Sequence, residues 1–167
     1  MCDGARVQVS LLAQNRLMRE ALTRIFSKRN DLMSAGSFAF SPTVVGEIAE
    51  ANPDVLVMDW SGTGQFEFLR EVQRANPRIK IVLIGMDPDE ELFVRVIREG
   101  VQGYVLGDAP TSEVVNAVRA VANGEAVSPP LLCAALFRHV ARQRANVPSF
   151  HVKLNLGLAA ASSNLCC

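Results

Sequence analysis

The residue best placed for chemistry is Asp59, which closes the run Val55-Leu56-Val57-Met58 and is followed by Trp60, Ser61, Gly62, Thr63 and Gly64. Four apolar residues in a row are too few for a helix of their own and fit a strand covered on both faces. Pro53 and Asp54 just before it supply a punctuated start. In an open parallel sheet, ligands and chemistry sit beyond the carboxyl ends of the strands. A carboxylate at that point stands where a reactive group would stand. Other acids follow later apolar runs: Asp87, Asp89 and Glu90 after one, Asp108 after another. Their plain reading is helix-start acids and a turn residue. The four cysteines, Cys2, Cys133, Cys166 and Cys167, form neither a disulfide framework nor a metal-ligand spacing.

The elements that must position Asp59 alternate along the chain. Val7–Leu12 reads as a buried strand, and Asn15 is suited to cap the helix carrying Leu17, Met18, Ala21, Leu22, Ile25 and Phe26 on one stripe. Residues 32–40 give a weak second strand, diluted by Gly36 and two serines. Ser41-Pro42 opens a helix with Val44, Val45, Ile48 and Ala49 inside, ended by Asn52-Pro53. After the Asp59 strand comes a helix carrying Phe66, Leu69 and Val72, stopped at Asn76-Pro77. Residues 79–85 form a fourth strand, and Asp87-Pro88-Asp89-Glu90 starts a helix with Leu92, Phe93, Val96 and Ile97 inward. Residues 103–106 make a short fifth strand before a helix bearing Val114, Val115, Val118 and Val121. Five strand–helix alternations with short connections predict an α/β doubly wound parallel sheet. An extra helix, opened by Ser128-Pro129-Pro130, carries Leu131, Leu132, Ala135, Leu136 and Val140 as its expected apolar face.

The chain has 167 residues, 49% of them apolar and 20% charged, which suits one globular domain with a core and a small appendage. The net charge of zero hides an asymmetry. Four cations and no acid follow Glu125, so the first 125 residues carry −4. A solvated helix face explains that basic stretch as well as an acidic partner does. No signal peptide or membrane-length apolar segment is visible, and the expected location is cytoplasmic with free thiols. The expected organisation is a domain over 1–127, a linker-like helix over 128–145 and a loosely ordered tail over 146–167.

The fivefold alternation, the aspartate ending the third strand and Gly103-Tyr104-Val105-Leu106-Gly107-Asp108-Ala109 together resemble a response-regulator receiver domain. The NarL/FixJ type is the nearer match. Leu17-Met18-Arg19-Glu20-Ala21-Leu22 resembles its first helix, and Ile97-Arg98-Glu99-Gly100-Val101-Gln102-Gly103-Tyr104 its turn into the fifth strand. Asn123-Gly124-Glu125 through Ser128-Pro129 resembles its exit from the fifth helix. The resemblance spans roughly residues 5–143 and implies a flavodoxin-like sheet of order 2-1-3-4-5. It implies that Asp59 accepts a phosphoryl group from a histidine kinase. A magnesium ion would be held by an acidic pair after strand one, assisted by a hydroxyl ending strand four and a lysine ending strand five. Those support positions fall on Ala13 and Gln14, on Gly85 and on Gly107. Tyr104 falls on the family's switch aromatic; with Gly85 in place of the hydroxyl, it suits either a partner-facing surface or core packing.

These departures lead to the expectation of a degenerate receiver in two-component (phosphorelay) signalling. It would act by protein–protein contact, with no magnesium or other cofactor and no enzyme activity. Expected partners are a histidine kinase or another response regulator, and a second copy in a homodimer. Neither direct DNA binding nor membrane binding is expected, because the residues after Asn146 are too few for a helix-turn-helix. Three alternatives stay open. Asp59 is a working phosphoacceptor; or Asp87, Asp89, Glu90 and Asp108 rebuild a metal site; or the loop at Ser61–Gly64 holds a flavodoxin-like cofactor.

Overall fold

A computed structural model describes residues 4–61 and 64–145, excluding the side chain of Ala145. Five strands, β1 (Val7–Leu12), β2 (Leu32–Phe38), β3 (Val55–Asp59), β4 (Lys80–Met86) and β5 (Gly103–Leu106), form one sheet. The order is β2-β1-β3-β4-β5, as the resemblance implies, and every pairing is parallel, as the alternation predicts. The helices are α1 (Arg16–Ser27), α2 (Val44–Ala51), α3 (Gln65–Ala75), α4 (Glu90–Arg98), α5 (Thr111–Ala122) and α6 (Pro130–Ala145). The division between compact units falls between Leu132 and Cys133.

The strand period of two sorts the core into two layers. Val9, Leu11, Val55, Val57, Val82, Ile84 and Val105 share one cluster with Leu22 and Phe26 of α1 and Val114, Val115, Val118 and Val121 of α5. The alternate residues, among them Leu12, Leu56, Met58, Ile81 and Leu83, face the other side of the sheet and are also buried. Central β3 is therefore wholly covered from Val55 to Met58, and only its last residue, Asp59, emerges.

Local chemistry sets the helix ends. The Asn15 side chain accepts from the Met18 amide at 3.2 Å, capping α1 as its type predicts. Asn52 adopts φ 44° at the end of α2, a left-handed stop that asparagine tolerates. Asp89 caps α4 by accepting from the Leu92 amide at 2.9 Å. Several boundaries differ from the sequence reading. The second strand stops at Phe38, and α2 begins at Val44 rather than at Ser41-Pro42. In place of that helical turn, Ser41 and Thr43 form a hydroxyl-bonded lead-in, 3.2 Å between their oxygens.

The expected apolar face of α6 is realised only in part, at Leu132, Ala135 and Leu136. Leu132 is buried, but Leu131 and Val140 are each 57% exposed. Nine residues advance a helix by about two and a half turns, so those two side chains fall on opposite sides and cannot share a stripe. The expected tail over 146–167 lies outside the described residues.

Leu56, wholly buried at the centre of the sheet, gives a direct test of this layering. Leu56→Ala is expected to lower unfolding free energy by about 2–5 kcal/mol. Urea denaturation should show the midpoint falling with the slope unchanged.

Candidate functional site

Asp59 ends β3 opposite Ile84 of β4, and the pairing runs one step further through the Trp60 amide to the Ile84 carbonyl at 3.0 Å. Its carboxylate is half-buried, and partial burial alone pushes its pKa above the ordinary value. No hydrogen bond or cation from a described residue draws it back. The carboxylate is therefore not held by hydrogen bonds from the described residues.

The adjacent end of β4 explains how the carboxylate is accommodated. Between Leu83↔Tyr104 and Met86↔Leu106 the register slips, setting Ile84 and Gly85 against the single residue Val105. Gly85 adopts φ +73° inside this bulge, a conformation that favours glycine. A Cβ at position 85 would lie 2.8 Å from Asp59 Oδ1, so the carboxylate already fills the space a hydroxyl side chain would enter through. Sequence reading ended the strand at Gly85, whereas it continues to Met86. The available signal was a glycine within an apolar run, a common mark of a bulge.

The other support positions differ in kind. A Cβ on Gly107 would make ordinary contacts of 3.6–3.7 Å with the Gly85 backbone, so a side chain could be borne there. Ala13 is fully buried and Gln14 is exposed. The carbonyls of both accept from Nη1 of Arg19, at 2.6 and 2.8 Å. Arg19 thus places a cation against the loop after β1, a role that spacing alone did not indicate. Among the described residues, no group of three or more His, Cys, Asp or Glu side chains could hold a metal ion. The alternative site from Asp87, Asp89, Glu90 and Asp108 is thus not assembled. Asp89 is instead engaged as the α4 cap.

Tyr104 is not at a surface. Its ring is 1% exposed and meets Phe93 edge-to-face at 5.2 Å, and its hydroxyl donates to the Asp87 carbonyl at 2.6 Å. The partner-facing expectation is corrected: apolar packing and the carbonyl acceptor together satisfy both ends of the amphipathic ring. Burial first, then the nearby Asp89 and Asp87 charges, push its pKa up to about 12.

On the α3 side, Trp60 contacts Phe66 edge-to-face at 5.2 Å, and Arg95 of α4 lies 4.2 Å over the Phe66 ring. Arg70 of α3 grips Glu99 at the end of α4 with two bonds of 2.8 and 2.6 Å, holding that carboxyl below its usual range. Gln65 and Ser61 bond reciprocally at 3.0 and 3.3 Å, bracketing the loop between β3 and α3. Gly62 and Thr63, part of the expected cofactor loop, lie outside the described residues.

The family model for the response regulator receiver domain matches residues 9–119. The chain is 28% identical over 124 residues to the transcriptional regulatory protein YxjL of Bacillus subtilis, covering 73% of this chain and 57% of that protein. It is 28% identical over 122 residues to the oxygen regulatory protein NreC of Staphylococcus aureus, covering 71% and 56%. The chain therefore spans little more than half the length of these curated relatives. Among solved structures it resembles a LuxR-family two-component response regulator from Aurantimonas, with TM-score 0.71 and 19% identity over 82% of this chain and 99% of that one. It also resembles the signal receiver domain of a NarL response regulator from Mycobacterium tuberculosis, with TM-score 0.64 and 22% identity over 72% and 99%.

Two measurements check this geometry. Tyr104 is the sole tyrosine, so phenolate absorbance titrates it alone. A midpoint near 12, against an ordinary 10.0, is expected. The raised value means that stability is intact below pH 10 and declines as pH climbs through the folded midpoint. Gly85→Thr should destabilise by about 1–3 kcal/mol through its positive φ, read as a lowered urea midpoint.

Proposed function

The chain belongs to the response regulator receiver domain family, and from that premise we propose that it is a pseudo-receiver of two-component signalling. It works by protein–protein association and not by magnesium-dependent phosphoryl transfer. The observation that carries this reading is the solitary Asp59 carboxylate, seated 2.8 Å from where a side chain at position 85 would begin. Magnesium demands near-octahedral oxygen coordination with carboxylate ligands. Asp59 is one such oxygen donor. Ala13 cannot be another, and the Arg19 guanidinium already occupies the carbonyls of Ala13 and Gln14. The donor set does not fit the ion.

Phosphoryl transfer to a carboxylate brings two anions together and depends on fixed positive charge to do so. Loss of one such group typically costs about 10²–10³ in rate. The acidic pair, the hydroxyl and the lysine are all replaced here, by Ala13, Gln14, Gly85 and Gly107. Even without additivity, little conventional transfer remains. The role is that of a signalling module rather than an enzyme, acting in the cytoplasm. Its partners would be a histidine kinase, another response regulator or a second copy of the chain. Direct DNA contact and membrane contact form no part of this reading. Among the described residues no helix is long and apolar enough to cross a membrane. Residues 1–127 would form the receiver and 128–145 a linker-like helix.

A working phosphoacceptor is the second reading, favoured by the partial exposure of Asp59 at its strand end. Incubation with acetyl phosphate and magnesium, followed by intact mass, separates the two. No added phosphoryl is expected. A gain of one phosphoryl that disappears in Asp59→Asn would establish the second reading and remove the first.

A further inference from the structure

We propose a small-molecule oxyanion site at the amino-terminal edge of the sheet, the end opposite Asp59. A cavity of about 400 Å³ opens there, lined by Arg6, Asp54, Arg78, Lys80, Ala122 and Asn123 among others. These residues come from the start of β1, the turn into β3, the start of β4 and the end of α5. The volume is within the range of ligand sites.

Three cations face one carboxylate, and internal contacts account for only part of this charge. Asp54 accepts from the Gln8 amide at 2.8 Å, and Lys80 Nζ donates to the Ala122 carbonyl at the end of α5, also at 2.8 Å. Among the described residues, the Arg6 and Arg78 guanidiniums have no ion pair and no hydrogen bond to complete them. The concentration of positive charge runs against the local balance, because the first 125 residues carry a net −4. Converging like charges destabilise each other unless a counter-ion joins them.

A second basic cavity makes the contrast. It is lined by Arg16, Arg19, Glu20 and Arg24 beside α1. There Arg16 pairs with Glu20 at 2.7 Å and Arg19 is spent on the carbonyls of Ala13 and Gln14. Its cations are mostly answered from within. At the sheet edge two planar donor forks are left open, a geometry suited to phosphate or carboxylate oxygens. The site fits a small phosphorylated molecule: two guanidiniums grip the phosphate and Lys80 adds a third positive charge. Asp54 and Asn123 at the rim offer hydrogen-bonding groups to the rest of the ligand.

The test uses the full chain and inorganic pyrophosphate, titrated calorimetrically at low ionic strength without divalent metal. One saturable site is expected, weakening as salt rises. Affinity should fall by at least about tenfold in the Arg6→Gln/Arg78→Gln double variant, whose folding is checked by circular dichroism. Both side chains are exposed, so the fold should persist. Asp59→Asn should bind as the parent does, which keeps this result separate from any outcome at the strand-end carboxylate. Absence of saturable heat, equal affinity in the double variant, or loss only on changing Arg16 and Arg24 would each overturn the proposal.

Discussion

A carboxylate at the end of a covered strand calls for a counter-charge, hydrogen bonds or water. At Asp59 the described protein supplies neither of the first two. What it supplies is room. The bulge at Ile84–Gly85 turns the end of β4 so that no side chain competes with the carboxylate oxygen. Glycine at position 85 therefore leaves space as well as lacking a side chain. It comes with a backbone conformation, φ +73°, that a β-branched residue adopts only at a cost. Position 107 contrasts with it: a side chain there would meet only ordinary contacts. A side chain is thus opposed by its surroundings at position 85 and tolerated at position 107.

The same comparison shows why parts of the molecule were legible in the sequence and others were not. The parallel layering follows from hydrophobic periodicity and the strand–helix alternation, the strand order came with the family resemblance, and β3 announced itself because four successive apolar residues need cover on both faces. The cap at Asn15 was readable because a short polar side chain satisfies an adjacent amide, and the acids at Asp87-Pro88-Asp89-Glu90 marked the start of α4, where Asp89 is the cap. The bulge was not, since it depends on how β4 meets β5, a relation between segments about twenty residues apart. Arg19 is similar: its bonds to Ala13 and Gln14 depend on the path of the loop after β1. For Tyr104, type alone left surface and core equally open. The decision came from the Asp87 carbonyl, which accepts the hydroxyl inside and removes the need to reach water. The α6 stripe is incomplete for a geometrical reason, as Leu131 and Val140 are too far apart in phase to share a face.

Around Asp59 the surrounding elements are braced rather than loose. Arg95 over Phe66 and the forked Arg70–Glu99 pair tie α4 to α3, while Tyr104 fastens the segment before α4 to β5. The Arg70–Glu99 pair is partly exposed, so its strength falls with salt. The Tyr104 bond lies within apolar packing and is shielded from that screening. The face carried by α4 and β5 is thus held by contacts of different sensitivity at its two ends.

The chain leaves the fifth helix by running alongside β5. The Val127 amide donates to the Gln102 carbonyl and its own carbonyl accepts from the Tyr104 amide, each at 2.9 Å. These two bonds flank Gly103, and the second reaches the backbone of Tyr104, whose ring packs edge-to-face on Phe93 of α4. The exit segment is thus stitched to the backbone of Gln102 and Tyr104, and because the Tyr104 hydroxyl bonds the Asp87 carbonyl, one residue joins the exit segment, β5 and the lead-in to α4.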